Sequence, residues 1–286
     1  MVFLGSITFK NSKAPPAVET TIEVQSQPNP PGTDNRLAYL EVLQGRVSAS
    51  RFSREESLVA ERHFRRAIEI DSNYARAYAE LATLLAVRFE NNWTVLENED
   101  EEKAMFYAEQ SIAIDPESAL AHYALGRLHS LYGKFAVAEK HLKRAMSLKP
   151  DYEDARAYYA VVRIFKGDAK GAVAILEPTI SSHPNPPYWY HFALGHALFN
   201  SGDNKAAESV LKKCLELAQS SPYCLCYQIA VYGEMGRTLD AMRAVDQYAI
   251  QGFDTTVSAI MSLVTDRNLD DRNRFERALR AAGLPH

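Results

Sequence analysis

Small and apolar residues recur along this chain at intervals of about 34 residues. Alanines, glycines and prolines that share this interval fall at Ala104, Ala138, Ala172, Ala207 and Ala241, at Gly133, Gly167, Gly202 and Gly236, and at Pro116, Pro150 and Pro184. Between them, apolar side chains follow one another at helical spacings. Three residue types with one period and one phase indicate a repeated helix–turn–helix unit.

The clearest unit, residues 119–152, gives each recurring position a physical role. Gly126 and Ala138 are small, which lets the two helices of the unit approach closely. Gly133 suits the turn between the helices, where a left-handed backbone is needed. Pro150 cannot continue the second helix and so sets the start of the next unit. We therefore expect antiparallel helix pairs stacked one after another.

This pattern resembles the tetratricopeptide repeat (TPR) family over residues 37–252. The resemblance implies an all-α fold, a right-handed α-solenoid of about six helix–turn–helix units. The unit that begins near Ala75 has about ten extra residues, around Phe89–Asp100, between its two helices. Within this insertion Trp93 either packs on the solenoid or contacts a partner, and the acidic residues that follow suit the start of a helix.

The two ends of the chain depart from the repeat. Residues 1–36 contain five of the thirteen prolines and predict a disordered or extended arm. Their apolar start, residues 1–9, is either part of this arm or the end of a truncated membrane span. Residues 253–286 predict two capping helices, the first beginning at Asp254 and the second covering about Asp270–Ala282.

Composition narrows the classes of function. Charged residues make up 24% of the chain and the net charge is −4, so a generally basic nucleic-acid surface is not expected. The sequence contains no apolar stretch of 18 residues, so we predict no complete membrane span. Three cysteines in 286 residues exclude a disulfide scaffold.

The sequence holds no motif for catalysis or for binding a cofactor. Phosphate-loop, dinucleotide, serine-hydrolase and zinc-protease patterns are all absent, so we predict no enzyme activity, no cofactor and no metal site. His122 and His129 are interpreted as partly buried packing residues rather than metal ligands. Cys214, Cys224 and Cys226 are interpreted as small buried residues.

In the resembling family, the first helix of each unit lines a concave groove that binds peptides. Carrying the groove positions of the family onto this chain predicts a binding surface that is mainly apolar and aromatic in its middle. The predicted groove residues are Arg76, Thr83, Tyr123, Arg127, Ser130, Asp154, Val161, Trp189, Phe192, His196 and Phe199. Groove exposure of Trp189 and Phe192 is left open against packing between repeats. The clamp with which some TPR adaptors hold a C-terminal carboxylate is not matched.

Three segments, residues 64–82, 108–126 and 186–203, and the tail 275–285 carry a narrower resemblance. They are similar to the C-terminal TPR region of bacterial class III adenylate cyclases and to membrane-bound winged-helix regulators. This resemblance implies a sensory or protein-interaction module and gives no reason to assign cyclase activity.

We therefore predict a non-enzymatic scaffold that binds a protein or peptide partner in its concave groove. The alternative is a regulatory TPR module in a cyclase or transcription-signalling system. We expect no direct binding of nucleic acid, and a homodimer is a further expectation. The predicted location is cytoplasmic, or membrane-tethered or periplasmic if residues 1–9 end a truncated membrane span.

Overall fold

The computed structural model describes residues 31–91, 93, 97–264 and 268–285. The helices within these ranges are α1 Arg36–Ala49, α2 Arg54–Ile70, α3 Ala75–Glu90, α4 Glu97–Ile114, α5 Ala119–Leu131, α6 Phe135–Leu148, α7 Glu153–Phe165, α8 Ala169–Ser182, α9 Tyr188–Ser201, α10 Asn204–Leu217, α11 Pro222–Glu234, α12 Thr238–Ile250, α13 Val257–Leu263 and α14 Leu269–Ala281. The described residues contain no strand, as an all-α fold requires. Most of the predicted arm, including residues 1–9, lies outside the described residues.

The first twelve helices form six antiparallel hairpins, α1/α2 to α11/α12, whose partners pack against each other. The contact expected inside the clearest hairpin is present. A Cβ atom added to Gly126 would lie 2.5 Å from Cγ of Leu142 and 3.4 Å from the carbonyl oxygen of Ala138. Gly133 has the positive φ of 70° expected at the turn. Small residues thus recur in the sequence at the positions where the two helices of a hairpin approach each other closely.

The hairpins stack so that the odd-numbered helices form an inner row. Helix α3 contacts α5, α5 contacts α7, and the row continues through α9 to α11. Each even-numbered helix up to α10 instead packs between its own partner and the first helix of the next hairpin. The inner row therefore presents one continuous face, on which the candidate site lies.

The last two helices differ in detail from the expectation. Helix α13 is capped by Thr256, whose Oγ1 accepts from the backbone N–H of Ala259 at 3.2 Å, so the predicted start at Asp254 is wrong. Asp254 instead accepts from the N–H of Thr256. Helix α14 is capped by Asn268 and packs against α11. It covers the end of the inner row and occupies the place of a further repeat.

The insertion after α3 brings one of its aromatic residues back onto the solenoid. The Trp93 ring lies 5.0 Å from the Phe52 ring in an edge-on arrangement, and its backbone N–H donates to the carbonyl oxygen of Arg88 at 2.9 Å. Of the two interpretations of Trp93, the geometry is that of a side chain tucked onto the fold. The acidic side chains at positions 97–101 lie outside the described side chains.

Candidate functional site

A cavity of about 200 Å³ lies where the inner helices converge. Its wall is built from five of the inner helices, α3, α5, α7, α9 and α11. The α1–α2 loop and the end of α13 complete it. The lining residues are Phe52, Val87, Glu90, Asn91, Arg127, Leu131, Tyr158, Val161, Ile164, Phe165, Tyr188, Trp189, Phe192, Ala193, His196, Tyr223, Cys226, Tyr227, Leu263 and Val264. Rings and aliphatic chains dominate this wall.

Five of the predicted groove residues meet at this cavity: Arg127, Val161, Trp189, Phe192 and His196. Trp189 and Phe192 are half-buried, and His196 is buried. The Trp189 ring lies 6.5 Å from the ring of Tyr158, and the His196 ring lies 4.5 Å from the ring of Tyr227. Both alternatives left open for Trp189 and Phe192 therefore hold, because the two side chains pack between repeats and also line the cavity.

Three further predicted residues lie on inner helices but do not line the cavity. Arg76 pairs with Glu80 one turn further along α3, and Thr83 donates to the carbonyl oxygen of Ala79 at 2.8 Å. Asp154 on α7 accepts a hydrogen bond from the Tyr190 hydroxyl at 2.9 Å. All three predicted residues are half-buried.

The remaining three predicted residues are buried, and their expected exposure is corrected. Tyr123 is 4% exposed and Ser130 is 3% exposed. Phe199 is fully buried, because the terminal helix covers it: the Phe275 ring lies 6.0 Å from its ring and the Arg274 guanidinium 4.9 Å. The family positions place these residues on the inner row, but neighbouring repeats and the C-terminal helices close over them.

A buried ion pair forms the polar part of the cavity wall. The Arg127 Nε donates to Oε1 of Glu90 at 3.1 Å, and its Nη2 donates to Oε2 of Glu90. Its Nη1 donates to the Tyr123 hydroxyl at 3.2 Å, and the Tyr158 hydroxyl donates to Oε1 of Glu90 at 2.8 Å. Burial lowers the pKa of Arg127, but the charge and hydrogen bond of Glu90 together with Tyr123 and Tyr158 outweigh it, so the pKa is raised well above its ordinary value. The guanidinium is therefore charged, and each of its three nitrogens donates to Glu90 or Tyr123.

The tyrosines around this pair are held in their neutral form. Burial raises the pKa of Tyr158 well above its ordinary value, and the nearby Glu90 carboxylate raises it further. Burial also raises the pKa of Tyr223 to about 12. At physiological pH the cavity thus presents neutral phenol groups, and its one buried cation is matched by one carboxylate.

Two contacts bridge the cavity between repeats that are far apart in sequence. The Tyr223 hydroxyl on α11 donates to the backbone carbonyl oxygen of Glu90, at the end of α3, at 2.7 Å. The Phe52 ring, from the α1–α2 loop, lies 5.4 Å from the Tyr188 ring on α9. Phe52 has a φ of +47°, a left-handed conformation that is unfavourable for a bulky side chain. With this backbone conformation the Phe52 ring faces the cavity.

Several lining residues were not predicted as site residues. Tyr223 lies 34 residues after Trp189, so the repeat period extended by one more unit would have pointed to it; Tyr227 follows one helical turn later on the same helix. Phe52 and Glu90 lie at a loop and a helix end, outside the groove positions of the repeat. They reach the cavity only because the inner row curves back on itself.

All three cysteines are buried, as the sequence interpretation expected, but two of them form a pairing that was not predicted. Cys214 on α10 and Cys224 on α11 form a disulfide with their Cα atoms 6.3 Å apart, whereas Cys226 is a free buried thiol. No sequence motif indicates this pairing, because ten residues separate the two cysteines and adjacent hairpins bring them together. The disulfide links the outer helix α10 to the helix that carries Tyr223.

Three of the eight histidines form a cluster away from the cavity. Nδ1 of His122 lies 3.0 Å from Nδ1 of His141, and the ring of His129 stacks on that of His141 at 5.4 Å. Within the described ranges, no group of three or more His, Cys, Asp or Glu residues has an arrangement that could hold a metal ion. Equally, none of the helices described is long and apolar enough to cross a membrane.

Comparison with known proteins finds similarity to one kind of repeat in the middle of the chain. Two tetratricopeptide-repeat models match residues 131–191 and residues 190–221, which together span the α5–α6 turn to the start of α11. No curated protein matches the sequence. The tetratricopeptide repeat is therefore supported for the middle of the chain, whereas the narrower resemblance to adenylate cyclases gains no support.

Similar solved structures agree with the fold. The APC/C hetero-tetramer Cut9–Hcn1 matches with a TM-score of 0.59 and 14% identity over 85% of this chain and 46% of that one. PilW, described as a type IV pilus biogenesis factor, matches with a TM-score of 0.54 and 18% identity over 72% and 89%. Pseudomonas aeruginosa pilF matches with a TM-score of 0.53 and 16% identity over 73% and 89%. Identities this low relate the folds alone.

Proposed function

We propose that this chain, an all-helical solenoid whose middle region matches the tetratricopeptide repeat, is a non-enzymatic scaffold. It binds a protein or peptide partner on the face formed by its inner helices. The observation that carries this proposal is the convergence of five inner helices on one cavity lined by half-buried rings. Aromatic side chains that are partly exposed in a concavity are typical anchors of protein recognition.

The charge of the site also supports a polypeptide partner rather than a nucleic acid. The cavity wall contains one cation, Arg127, and Glu90 neutralises it. A surface that recognises nucleic acid needs several basic side chains free to contact phosphates. Arg76, another basic residue on the inner helices, is likewise paired, with Glu80, and is not free to contact phosphate.

The proposal is tested by affinity purification with quantitative mass spectrometry, using two matched variants. Phe192→Ala removes a half-buried ring from the cavity, whereas Phe106→Ala removes a ring that is 53% exposed on the outer helix α4. We expect one partner to be retained by the wild type and by Phe106→Ala and lost with Phe192→Ala. Equal retention by both variants, with circular dichroism showing that both are folded, would refute binding at the inner face.

A second candidate function is a regulatory module of a nucleotide-cyclase or transcription-signalling system. It is favoured by the resemblance of residues 64–82, 108–126 and 186–203 to such TPR regions. It predicts that the retained partner is a cyclase or a winged-helix protein whose activity changes when this chain is added. A partner of another class that binds the inner face would leave only the scaffold function.

The disulfide bears on the compartment in which the scaffold works. Disulfides such as Cys214–Cys224 persist in oxidising compartments and are rare in the cytosol. This observation favours the periplasmic or membrane-tethered alternative over the cytoplasmic one. Because both cysteines are buried, the test is alkylation of the protein from acid-quenched cells after denaturation: labelling of Cys214 and Cys224 without a reductant would restore the cytoplasmic prediction.

A further inference from the structure

The cavity offers no unpaired charge to a ligand. All three kinds of guanidinium nitrogen of Arg127 donate within the wall, two to Glu90 and one to Tyr123. Oε1 of Glu90 accepts from Tyr158 as well. A charged group that entered the cavity would lose its hydration without gaining a counter-charge, and an uncompensated buried charge is strongly disfavoured. The occupant should therefore be uncharged.

The size of the cavity limits the occupant to one or two rings. An engineered protein cavity of about 150 Å³ lined by aliphatic and aromatic side chains binds benzene. The volume here is about 200 Å³, so it accommodates a phenyl ring and approaches the requirement of an indole. A larger occupant would have to separate the contact between Tyr223 and Glu90 or the contact between Phe52 and Tyr188.

The wall matches a ring better than an aliphatic chain. Phe192 lies 5.6 Å from the Tyr223 ring and 5.5 Å from the Tyr227 ring, and Trp189 stands edge-on to Tyr158. Aromatic rings favour such offset and edge-to-face arrangements, which add to the gain from burial of the same area. Another ring entering among Tyr158, Trp189 and Phe192 would find edges and faces already oriented.

We propose that the cavity recognises a single uncharged aromatic side chain, phenylalanine or tryptophan, presented by a peptide partner. This inference rests on the proposed function and deepens it by naming the anchor of the partner. Acidic and basic side chains are rejected at the same position, and so is a free chain-terminal carboxylate, because the charge of Arg127 is already neutralised by Glu90. Recognition then depends on ring shape rather than on charge.

The first experiment tests the cavity with side-chain surrogates. Toluene stands for phenylalanine, indole for tryptophan, and benzoate is the charged match of toluene. Isothermal titration calorimetry should detect binding of toluene and of indole to the wild-type chain. Benzoate should bind at least about 10-fold more weakly, because no counter-charge compensates the burial of its carboxylate. Benzoate binding as tightly as toluene would overturn the proposal.

A fluorescence measurement locates the ring without perturbing the cavity. The chain has two tryptophans, and Trp93→Phe leaves Trp189 in the cavity wall as the only reporter. Iodobenzene, which quenches tryptophan fluorescence on contact, should quench this variant saturably, and toluene should reverse the quenching. Quenching that rises linearly with concentration, as for an exposed indole, would contradict occupancy of the cavity.

A filled-cavity variant supplies the matched control. Val161→Phe places a ring inside the cavity, whereas Val137→Phe adds the same atoms at a position that is 39% exposed on α6. Val161→Phe should abolish saturable toluene binding and Val137→Phe should preserve it. Equal binding by both would overturn the proposal, and the Trp93→Phe quenching decides the question if Val161→Phe does not fold.

The last experiment separates the partner peptide from a free ring compound. Peptides selected on the immobilised chain from a random library are compared with versions in which each aromatic residue is replaced by leucine or aspartate. The proposal expects one aromatic position at which leucine weakens binding about 10-fold and aspartate abolishes it, and toluene should compete. Tight peptides indifferent to these changes would leave the scaffold function standing and refute the anchor. Toluene binding with no selectable peptide would assign the cavity to a small molecule instead.

Discussion

The Tyr223 hydroxyl donates to the backbone carbonyl oxygen of Glu90 across 133 residues of sequence. This hydrogen bond joins the last hairpin to the end of α3, and so closes one side of the cavity. Tyr223→Phe removes only the donor. We expect it to lower the free energy of unfolding by about 1 kcal/mol, as for a typical buried hydrogen bond, and to increase the rate of Trp189 quenching by iodobenzene. Tyr159→Phe on α7 is the control: it keeps the ring contact with Lys143 and should change neither quantity.

The ion pair between Arg127 and Glu90 should dominate the stability of the site. Arg127→Met leaves the Glu90 carboxylate without its cation in a buried wall, so we expect a loss of about 3–5 kcal/mol in urea unfolding. The double variant Arg127→Met/Glu90→Leu should recover part of this loss. By contrast, Arg66→Met breaks the exposed pair with Glu69 and should cost less than about 0.5 kcal/mol.

These costs revise an expectation drawn from the repeat pattern. The repeat pattern places Tyr123 and Arg127 in the groove, and truncation of a groove-facing side chain is expected to weaken binding and spare the fold. Both side chains are nearly covered, at 4% and 9% exposure. Truncating Arg127 therefore tests stability before it tests binding, and Phe192 is the better probe of the partner.

The hairpins could be predicted from sequence because their contacts are local. Gly126 and Leu142 meet within one unit, and the same contact recurs between Gly195 and Leu211, so the constraint appears as a period. The cavity depends on side chains that the period does not identify. Arg127 meets Glu90 between the neighbouring helices α5 and α3, whereas Tyr223 reaches Glu90 across 133 residues because the inner row curves.

The disulfide should stabilise the end of the solenoid. It closes a loop of ten residues between α10 and α11, for which chain entropy predicts about 2–3 kcal/mol. Addition of dithiothreitol should therefore lower the urea midpoint of the wild type. The variant Cys214→Ala/Cys224→Ala should start at the lower midpoint and show no response to the reductant. A reductant effect of the same size in this variant would assign the loss to another cause.

The terminal helix should be displaced by a single methyl group on α11. A Cβ atom added to Gly233 would collide with the backbone carbonyl oxygen of Ala278 and lie 2.9 Å from the backbone nitrogen of Ala282. These are backbone atoms and cannot rotate away, so Gly233→Ala should cost about 2–3 kcal/mol and increase amide exchange in α14. Gly195→Ala meets only the side chain of Leu211 and should leave α14 protected.

The histidine cluster predicts how stability depends on pH. Burial, with His122 and His129 close by, lowers the pKa of His141 to about 4, whereas an unfolded histidine titrates near pH 6.5. Between these values the unfolded chain binds more protons than the folded one. The contribution is therefore fully present above pH 6.5 and is lost as the pH falls through 6.5 toward 4.

The half-buried position of His141 allows solvent to screen the effect, so we expect a loss of about 1–2 kcal/mol between pH 7 and pH 4.5. Urea unfolding at pH 7, 6, 5 and 4.5 measures it. His141→Gln should remove much of this slope, because a neutral amide takes the place of the group that must be kept uncharged. His183→Gln, on the α8–α9 connection, should retain the slope. An unchanged slope in His141→Gln would show that the acid sensitivity arises elsewhere in the chain.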